Sequence, residues 1–122
     1  RTMVSSSPTH GAQVVATILA DDALRSQWIG ELAGMRDRIK EMRRKLVDGL
    51  AAAGVTAENG KKDMSFIAEQ VGMFSYSGLS KGQMVELREK HGVYGTDKGR
   101  ICVAALNDSN IDYVCQAIAA VM

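Results

Sequence analysis

Residues 22–54 read DALRSQWIGELAGMRDRIKEMRRKLVDGLAAAG and contain the longest uninterrupted helical pattern in the chain. Apolar side chains recur there every three or four residues, the spacing of one helix face: Leu24, Trp28, Leu32, Met35, Ile39, Met42, Leu46 and Leu50. Asp21 and Asp22 offer an N-cap, and Gly54 stands where a glycine commonly follows a helix. The pattern therefore predicts a helix over residues 22–53.

This helix is long for the size of the chain. At 1.5 Å per residue it would extend roughly 48 Å, whereas a compact domain of 122 residues is only about 35 Å across. An apolar stripe of that length needs a partner along its whole length. The sequence thus predicts either a helical dimer or a missing part of the same subunit.

Composition excludes several classes of protein. The chain is 46% hydrophobic and 24% charged, and its 15 Lys and Arg against 14 Asp and Glu leave a net charge of +1. Such a chain is one ordinary domain or part of one. Its net charge is too small to attract nucleic acid or an anionic membrane by overall electrostatics. It has no apolar run of membrane-spanning length and no signal peptide pattern. Two cysteines, Cys102 and Cys115, are too few for a disulfide-stapled secreted domain, which favours a reducing, cytoplasmic setting, and they lack the C-x-x-C spacing of zinc or redox sites.

The residues around the long helix predict further elements. Residues 1–9 are a polar leading loop, and residues 10–20 carry a helical apolar pattern. The chain begins at Arg1 without an initiator methionine, which favours a processed or truncated product. A polar linker over 56–62 is followed by a helical turn and then a short strand within 72–78.

The C-terminal residues predict a helix, two strands and a last helix. Ser80 and Gln83 form a capping box for a helix that Gly92 ends. Short strands are expected at residues 93–94 and 101–104, and Asn107 is expected to cap the last helix. The order predicts an α+β fold, or an α/β layer, in which helices cover a small sheet.

Arg100 is the best candidate for a binding residue. It follows Gly99 and opens an apolar strand, so its guanidinium would project from a rigid element beside an approachable backbone. That placement suits a bidentate clamp on a carboxylate, but on spacing alone a solvated arginine in a hairpin is the favoured interpretation. Arg1 raises the same question with less context.

Residues 36–45 offer a second possible function. They hold six basic and two acidic side chains, and such a basic helical face could bind an acidic partner as a non-enzymatic interaction module. Glu41 is, however, spaced to pair with Lys45 within the helix, and the face has no aromatic residues for stacking bases. A solvated outer face is the favoured interpretation, and a homodimerising helical protein is the third possibility.

For the other candidate residues, a structural role is favoured over a catalytic or binding role. His10 and His91 are isolated and belong to no metal-binding pattern. The two cysteines lie within apolar patterns and are expected to be small core residues. Met73, Phe74 and Tyr76 could line a ligand pocket, but aromatics in a short strand are more often part of the core.

Five stretches together resemble one family: the class I fold-type pyridoxal-phosphate aminotransferases, in the aspartate and aromatic amino acid branch. The stretches are RTMVS (1–5), HGAQVVATIL (10–19), MRDRI (35–39), GMFSYSGL (72–79) and GRICVA (99–104). Each is weak alone, but their order and spacing are specific. The resemblance covers essentially the whole chain, and only the C-terminal third of a family member.

The resemblance implies an architecture. The chain would be the small-domain part of an α/β pyridoxal-phosphate transferase fold. Residues 1–20 would be an interdomain segment and helix at the mouth of the active site, and residues 21–54 the long helix that links the two domains. Residues 55–122 would be the small C-terminal α+β domain.

The resemblance also implies site residues. Arg100 matches the arginine that binds the substrate α-carboxylate, and Arg1 matches the arginine that reaches across the dimer interface to a side-chain carboxylate. Phe74 matches an aromatic of the pocket wall. Three positions depart from the family pattern and affect fine pocket geometry: Ser6, Ser7 and Ala105.

The chemical centre would lie elsewhere in the subunit. The family's Schiff-base lysine and most groups that bind pyridoxal 5′-phosphate are expected upstream of Arg1, so this chain would contain no catalytic residue and would be inactive alone. The implied activity is amino-group transfer between an aspartate or aromatic amino acid and a 2-oxo acid, in a homodimer. The choice between these amino acids stays open.

Overall fold

The computed structural model describes residues 8–122 and shows helices around a two-stranded sheet. The helices are α1 (Thr9–Ala20), α2 (Asp22–Ala52), α3 (Phe66–Glu69), α4 (Lys81–His91) and α5 (Ile111–Val121), and the strands are β1 (Phe74–Tyr76) and β2 (Arg100–Cys102). Short 3₁₀ turns lie at Ala57–Asn59 and Val103–Ala105. The predicted α+β class is confirmed. None of the helices in this range is long and apolar enough to cross a membrane.

The described residues form two compact units, a first that ends at Arg36 and a second over Asp37–Met122. In the first unit, Asp21 Oδ1 accepts hydrogen bonds from the backbone N–H groups of Ala23 and Leu24, both 2.9 Å long, and so caps α2 as expected. No residue of α1 is buried, and the apolar side chains of this unit are largely exposed, Trp28 at 45% and Met35 at 59% for example.

The second unit contains the hydrophobic core. The later turns of α2 bury Met42, Leu46 and Leu50, which pack with apolar residues of every following helix and of the sheet. Gly54 ends α2 with a left-handed φ of +80°, and the Val55 N–H bonds back to the Leu50 carbonyl at 2.9 Å. The predicted helix is therefore present to within one residue of its predicted end.

Helices α2 and α5 approach each other closely. A Cβ added at Gly49 would lie 2.6 Å from the Sγ of Cys115, so only glycine leaves room for this contact. Cys115 is buried, as predicted, and burial raises the pKa of its thiol to about 11.

Helix α4 is bounded as the sequence predicts. The Ser80 Oγ accepts from the Gln83 N–H, and the Gln83 side chain accepts from the Ser80 N–H at 2.9 Å, which completes the capping box. Gly92 is left-handed at φ +63°, and its N–H bonds to the Leu87 carbonyl.

The predicted strand at Val93–Tyr94 is wrong. The Val93 N–H still bonds to the Leu87 carbonyl as part of the helix end, and β2 pairs instead with β1. The other predicted strand, over residues 101–104, is shorter than expected, because the chain enters the 3₁₀ turn at Val103.

The predicted cap of the last helix is also wrong. Helix α5 begins at Ile111 after Asn110, whereas the side-chain oxygen of Asn107 accepts from the N–H and hydroxyl of Ser109. Asn107 therefore shapes the turn that precedes α5, because three residues separate it from the first helical residue.

Candidate functional site

The site lies on the outer face of the two-stranded β1–β2 ribbon, whose strands are separated in sequence by α4 and which is called the hairpin below for its antiparallel pairing. The strands are antiparallel, with Phe74 opposite Cys102, Ser75 opposite Ile101 and Tyr76 opposite Arg100. Because side chains alternate along a strand, Ser75 and Ile101 are buried while Phe74, Tyr76 and Arg100 are exposed. The hairpin thus presents two aromatic rings and a guanidinium on one face.

Gly99 fixes the start of β2. Its φ is +82°, and a Cβ at this position would lie 2.9 Å from the Leu79 carbonyl oxygen. The Gly99 carbonyl in turn accepts from both the N–H and the hydroxyl of Ser77, each at 2.8 Å. Arg100 therefore projects from a backbone that is held on both sides, as its position after a glycine suggested.

Two side chains complete the backbone hydrogen bonds at this end of the hairpin. Gln70 forms a pair of bonds with the backbone of Tyr76, donating to its carbonyl at 3.0 Å and accepting from its N–H at 2.8 Å. On the other edge, the Thr96 hydroxyl accepts from the Arg100 N–H at 3.1 Å, and the Thr96 N–H donates to the Arg100 carbonyl. The outward backbone groups of Tyr76 and Arg100 are thereby satisfied, which stabilises a ribbon that would be marginal alone.

Arg100 and Phe74 form a cation–π pair. The guanidinium carbon lies 4.9 Å from the ring centroid, across the diagonal of the hairpin. Phe74 and Tyr76 are 46% and 55% exposed, so the prediction that these aromatics belong to the core is wrong. The ring limits the rotamers of Arg100 and leaves the guanidinium N–H groups available for a planar, bidentate acceptor such as a carboxylate.

No acidic side chain in the described range pairs with Arg100. Asp97, three residues before Arg100 in sequence, is engaged elsewhere: it accepts from Arg88 at 3.3 Å and pairs with Lys81 at 3.6 Å. The hairpin face therefore combines a fixed cation with aromatic surface, a combination that suits an organic carboxylate.

Neither cysteine is part of the Arg100–Phe74 pair, although Cys102 lies opposite Phe74 in the sheet register. Arg1 falls outside the described residues, together with Ser6 and Ser7. Cys102 is half-buried and lines an apolar cavity of about 300 Å³ between α4, β2 and α5, with Tyr94, Leu106 and Tyr113 among its other walls.

The basic segment at 36–45 is bound largely to its own chain. Lys45 pairs with Glu41 at 2.9 Å, as predicted, and with Asp108 at 2.6 Å, and these partners raise the pKa of its ammonium group. Arg43 is 3% exposed, so the expectation of a wholly solvated face is wrong at this residue. Lys40 and Arg44 are exposed, as that expectation requires.

Sequence reasoning missed the supporting residues of the site. Thr96 stands four residues before Arg100, within the turn, and its hydroxyl was a local signal for a side-chain bond to the backbone. Gln70 gave no such signal, because its contact with Tyr76 depends on how α3 packs beside β1.

The aminotransferase class I and II family profile matches residues 1–118. The aspartate aminotransferase of Pseudomonas aeruginosa is 48% identical over the whole chain, and the aromatic-amino-acid aminotransferase of Escherichia coli is 47% identical over 97% of it. Among solved structures, the aromatic-amino-acid aminotransferase of Burkholderia pseudomallei, covalently bound to pyridoxal phosphate, is similar with a TM-score of 0.90 and 54% identity over 99% of the chain. A mitochondrial aspartate aminotransferase of Trypanosoma brucei has a TM-score of 0.91 and 42% identity over the full chain.

The matched relatives are much longer than this chain. It spans 29% of the Pseudomonas protein and 28% of the Escherichia coli protein, and 29% and 31% of the two solved chains.

Proposed function

Because the chain belongs to the aminotransferase class I and II family, we propose that it is the C-terminal part of an aminotransferase subunit. That subunit moves an amino group between an aspartate or aromatic amino acid and a 2-oxo acid. The similarity to both aspartate and aromatic-amino-acid aminotransferases supports this substrate class. The chain covers only about 30% of the length of these relatives, which supports a missing part of the subunit.

In this proposal Arg100 binds the substrate α-carboxylate and Phe74 forms part of the pocket wall. The observation that carries the assignment is the 4.9 Å stack of Arg100 on Phe74, on a hairpin face with no acidic partner among the described residues. A guanidinium held in this way can fix a carboxylate through two parallel hydrogen bonds, which orients the amino acid for transfer. Arg1 is proposed to bind a side-chain carboxylate from across a homodimer interface.

The described residues do not fit the pyridoxal phosphate itself. A lysine that forms a Schiff base needs a desolvated site and a lowered pKa, but no lysine among residues 8–122 is buried. Lys45 and Lys90 have raised pKa values because of their carboxylate partners. We therefore assign cofactor binding to the proposed upstream part, and this chain's contribution is substrate positioning.

The partners are proposed on the same grounds. They are amino acid and 2-oxo acid substrates, the rest of the subunit and a second copy of it, with no role for nucleic acid or membrane. A cytoplasmic location is proposed from the cysteine usage, while named relatives include cytoplasmic, mitochondrial and chloroplastic enzymes.

The alternative of a non-enzymatic module on the basic helix has no support. Its cations at 38, 43 and 45 already bind carbonyls or carboxylates of the same chain, and the family match points to an enzyme.

Arg100→Lys in the full-length subunit tests the site. Lysine keeps the charge and loses the bidentate fork, so kcat/KM for amino acid and 2-oxo acid should fall about 10- to 100-fold, mainly through KM. Arg88→Lys is the matched control, because Arg88 is bound to Asp97 and does not lie on the hairpin face. Unchanged steady-state kinetics in Arg100→Lys would remove the site assignment.

A further inference from the structure

Two arginines of α2 bind backbone carbonyls on either side of the hairpin. Arg43 is 3% exposed and donates through its two terminal nitrogens to the carbonyls of Ile67 and Gly72. Burial lowers the pKa of its guanidinium. Burying a cation without a carboxylate partner costs stability. The burial of Arg43 therefore needs a reason other than the charge of the helix surface.

Arg38 makes the corresponding contact after the hairpin. Its terminal nitrogens donate to the carbonyls of Ala104 at 2.7 Å and Leu106 at 2.9 Å. These two hydrogen bonds hold the 3₁₀ turn that follows β2. A guanidinium presents donors in a fixed fork and can span two carbonyls, whereas a lysine ammonium acts as a single point of charge.

The bound carbonyls lie close in sequence to the site residues. Gly72 is two residues before Phe74, and Ala104 is four residues after Arg100. The Met73 carbonyl accepts from the N–H groups of Val103 and Ala104, so the two ends that the arginines hold are also joined to each other. Helix α2 thus fixes the end of the sheet at which β1 begins and β2 ends.

We propose that Arg38 and Arg43 are positioning residues that set the geometry of the Arg100–Phe74 pair and thereby the affinity for the substrate carboxylate. This inference rests on the proposed function. It adds that α2 determines the shape of the carboxylate site, although neither arginine touches it. Small displacements of a bidentate clamp weaken it strongly, because both hydrogen bonds depend on the same orientation.

The test uses Arg38→Lys and Arg43→Lys in the full-length subunit, with Arg44→Lys as the matched control, since Arg44 is an exposed arginine of the same helix. We expect KM for amino acid and 2-oxo acid to rise about tenfold in each variant, with kcat changed less than twofold, and no change in the control. A purely structural role would lower the amount of folded enzyme and leave KM unaltered.

A double-mutant cycle with Arg100→Lys gives the second readout. If the two arginines act through Arg100, adding Arg43→Lys to Arg100→Lys should change KM much less than it does in the parent. Arg38 is exposed, so Arg38→Lys keeps the test decisive if Arg43→Lys does not fold. Unaltered KM in Arg38→Lys, or additive effects in the cycle, would overturn the inference.

The two proposals fail in different ways. A parent subunit without amino-transfer activity, or one insensitive to Arg100→Lys, contradicts the proposed function. An active parent that is sensitive to Arg100→Lys but insensitive to Arg38→Lys and Arg43→Lys contradicts only the positioning role.

Discussion

At the scale of the residue, the role that we propose for Arg100 depends on its neighbours more than on its own charge. Gly99 permits the close backbone approach, Thr96 satisfies the Arg100 backbone, and Phe74 restricts the guanidinium. A surface arginine without these contacts samples many rotamers and loses that entropy on binding. The hairpin has ordered Arg100 in advance, which is the physical basis for assigning it a carboxylate.

A second residue, Cys115, makes stability depend on pH. Its thiol pKa rises from 9.0 to about 11 on folding because of burial and the nearby Asp112 carboxylate. Well below pH 9 the thiol is protonated in both the folded and the unfolded chain, so it does not make the free energy of unfolding depend on pH. Between pH 9 and 11 the unfolded chain loses this proton first, so the free energy of unfolding should fall, by about 2 to 3 kcal/mol in all.

Urea unfolding from pH 8 to 11 measures this effect, and Cys115→Ala is the control for other groups that titrate in the same range. The difference between the parent and Cys115→Ala should shrink as pH rises. A difference that stays constant over this range would exclude the burial effect.

At the scale of the element, local signals predicted the ends of α2 and α4 well, the start of α5 less well and strand partners poorly. Asp21, the Ser80–Gln83 box and the glycines at 54 and 92 act within a few residues, so their hydrogen bonds follow from spacing alone. The strand predicted at Val93–Tyr94 failed because pairing is decided between distant segments, here 74–76 and 100–102. The buried Arg43 was unpredictable for the same reason, since its acceptors are distant in sequence: the carbonyls of Ile67 in α3 and of Gly72.

The close contact of α2 with α5 yields a prediction at this scale. Gly49→Ala places a methyl group against the Cys115 sulfur, so we expect a loss of about 1 to 3 kcal/mol in the free energy of unfolding. Gly82→Ala is the matched control, because its nearest atom is 4.0 Å away and alanine favours the helix. Equal stability of the two variants in urea would show that α2 and α5 do not pack as described.

At the scale of the whole molecule, the exposed apolar side chains and the length of the relatives lead to the same conclusion. The first unit exposes Val15, Trp28, Ile29 and Met35 at 45–59%, more apolar surface than a small free-standing unit usually shows. The relatives are more than three times as long as the chain. We interpret this surface as one that the rest of an aminotransferase subunit covers.

The intact mass of the protein in its source cells tests this central claim most directly. The account predicts a chain several times heavier than the 13.1 kDa of these 122 residues, with this sequence at its C-terminal end. That result would make assays of amino-group transfer and of Arg100→Lys meaningful. A mass near 13.1 kDa would contradict the account, because such a chain has no buried lysine in its described part to hold the cofactor.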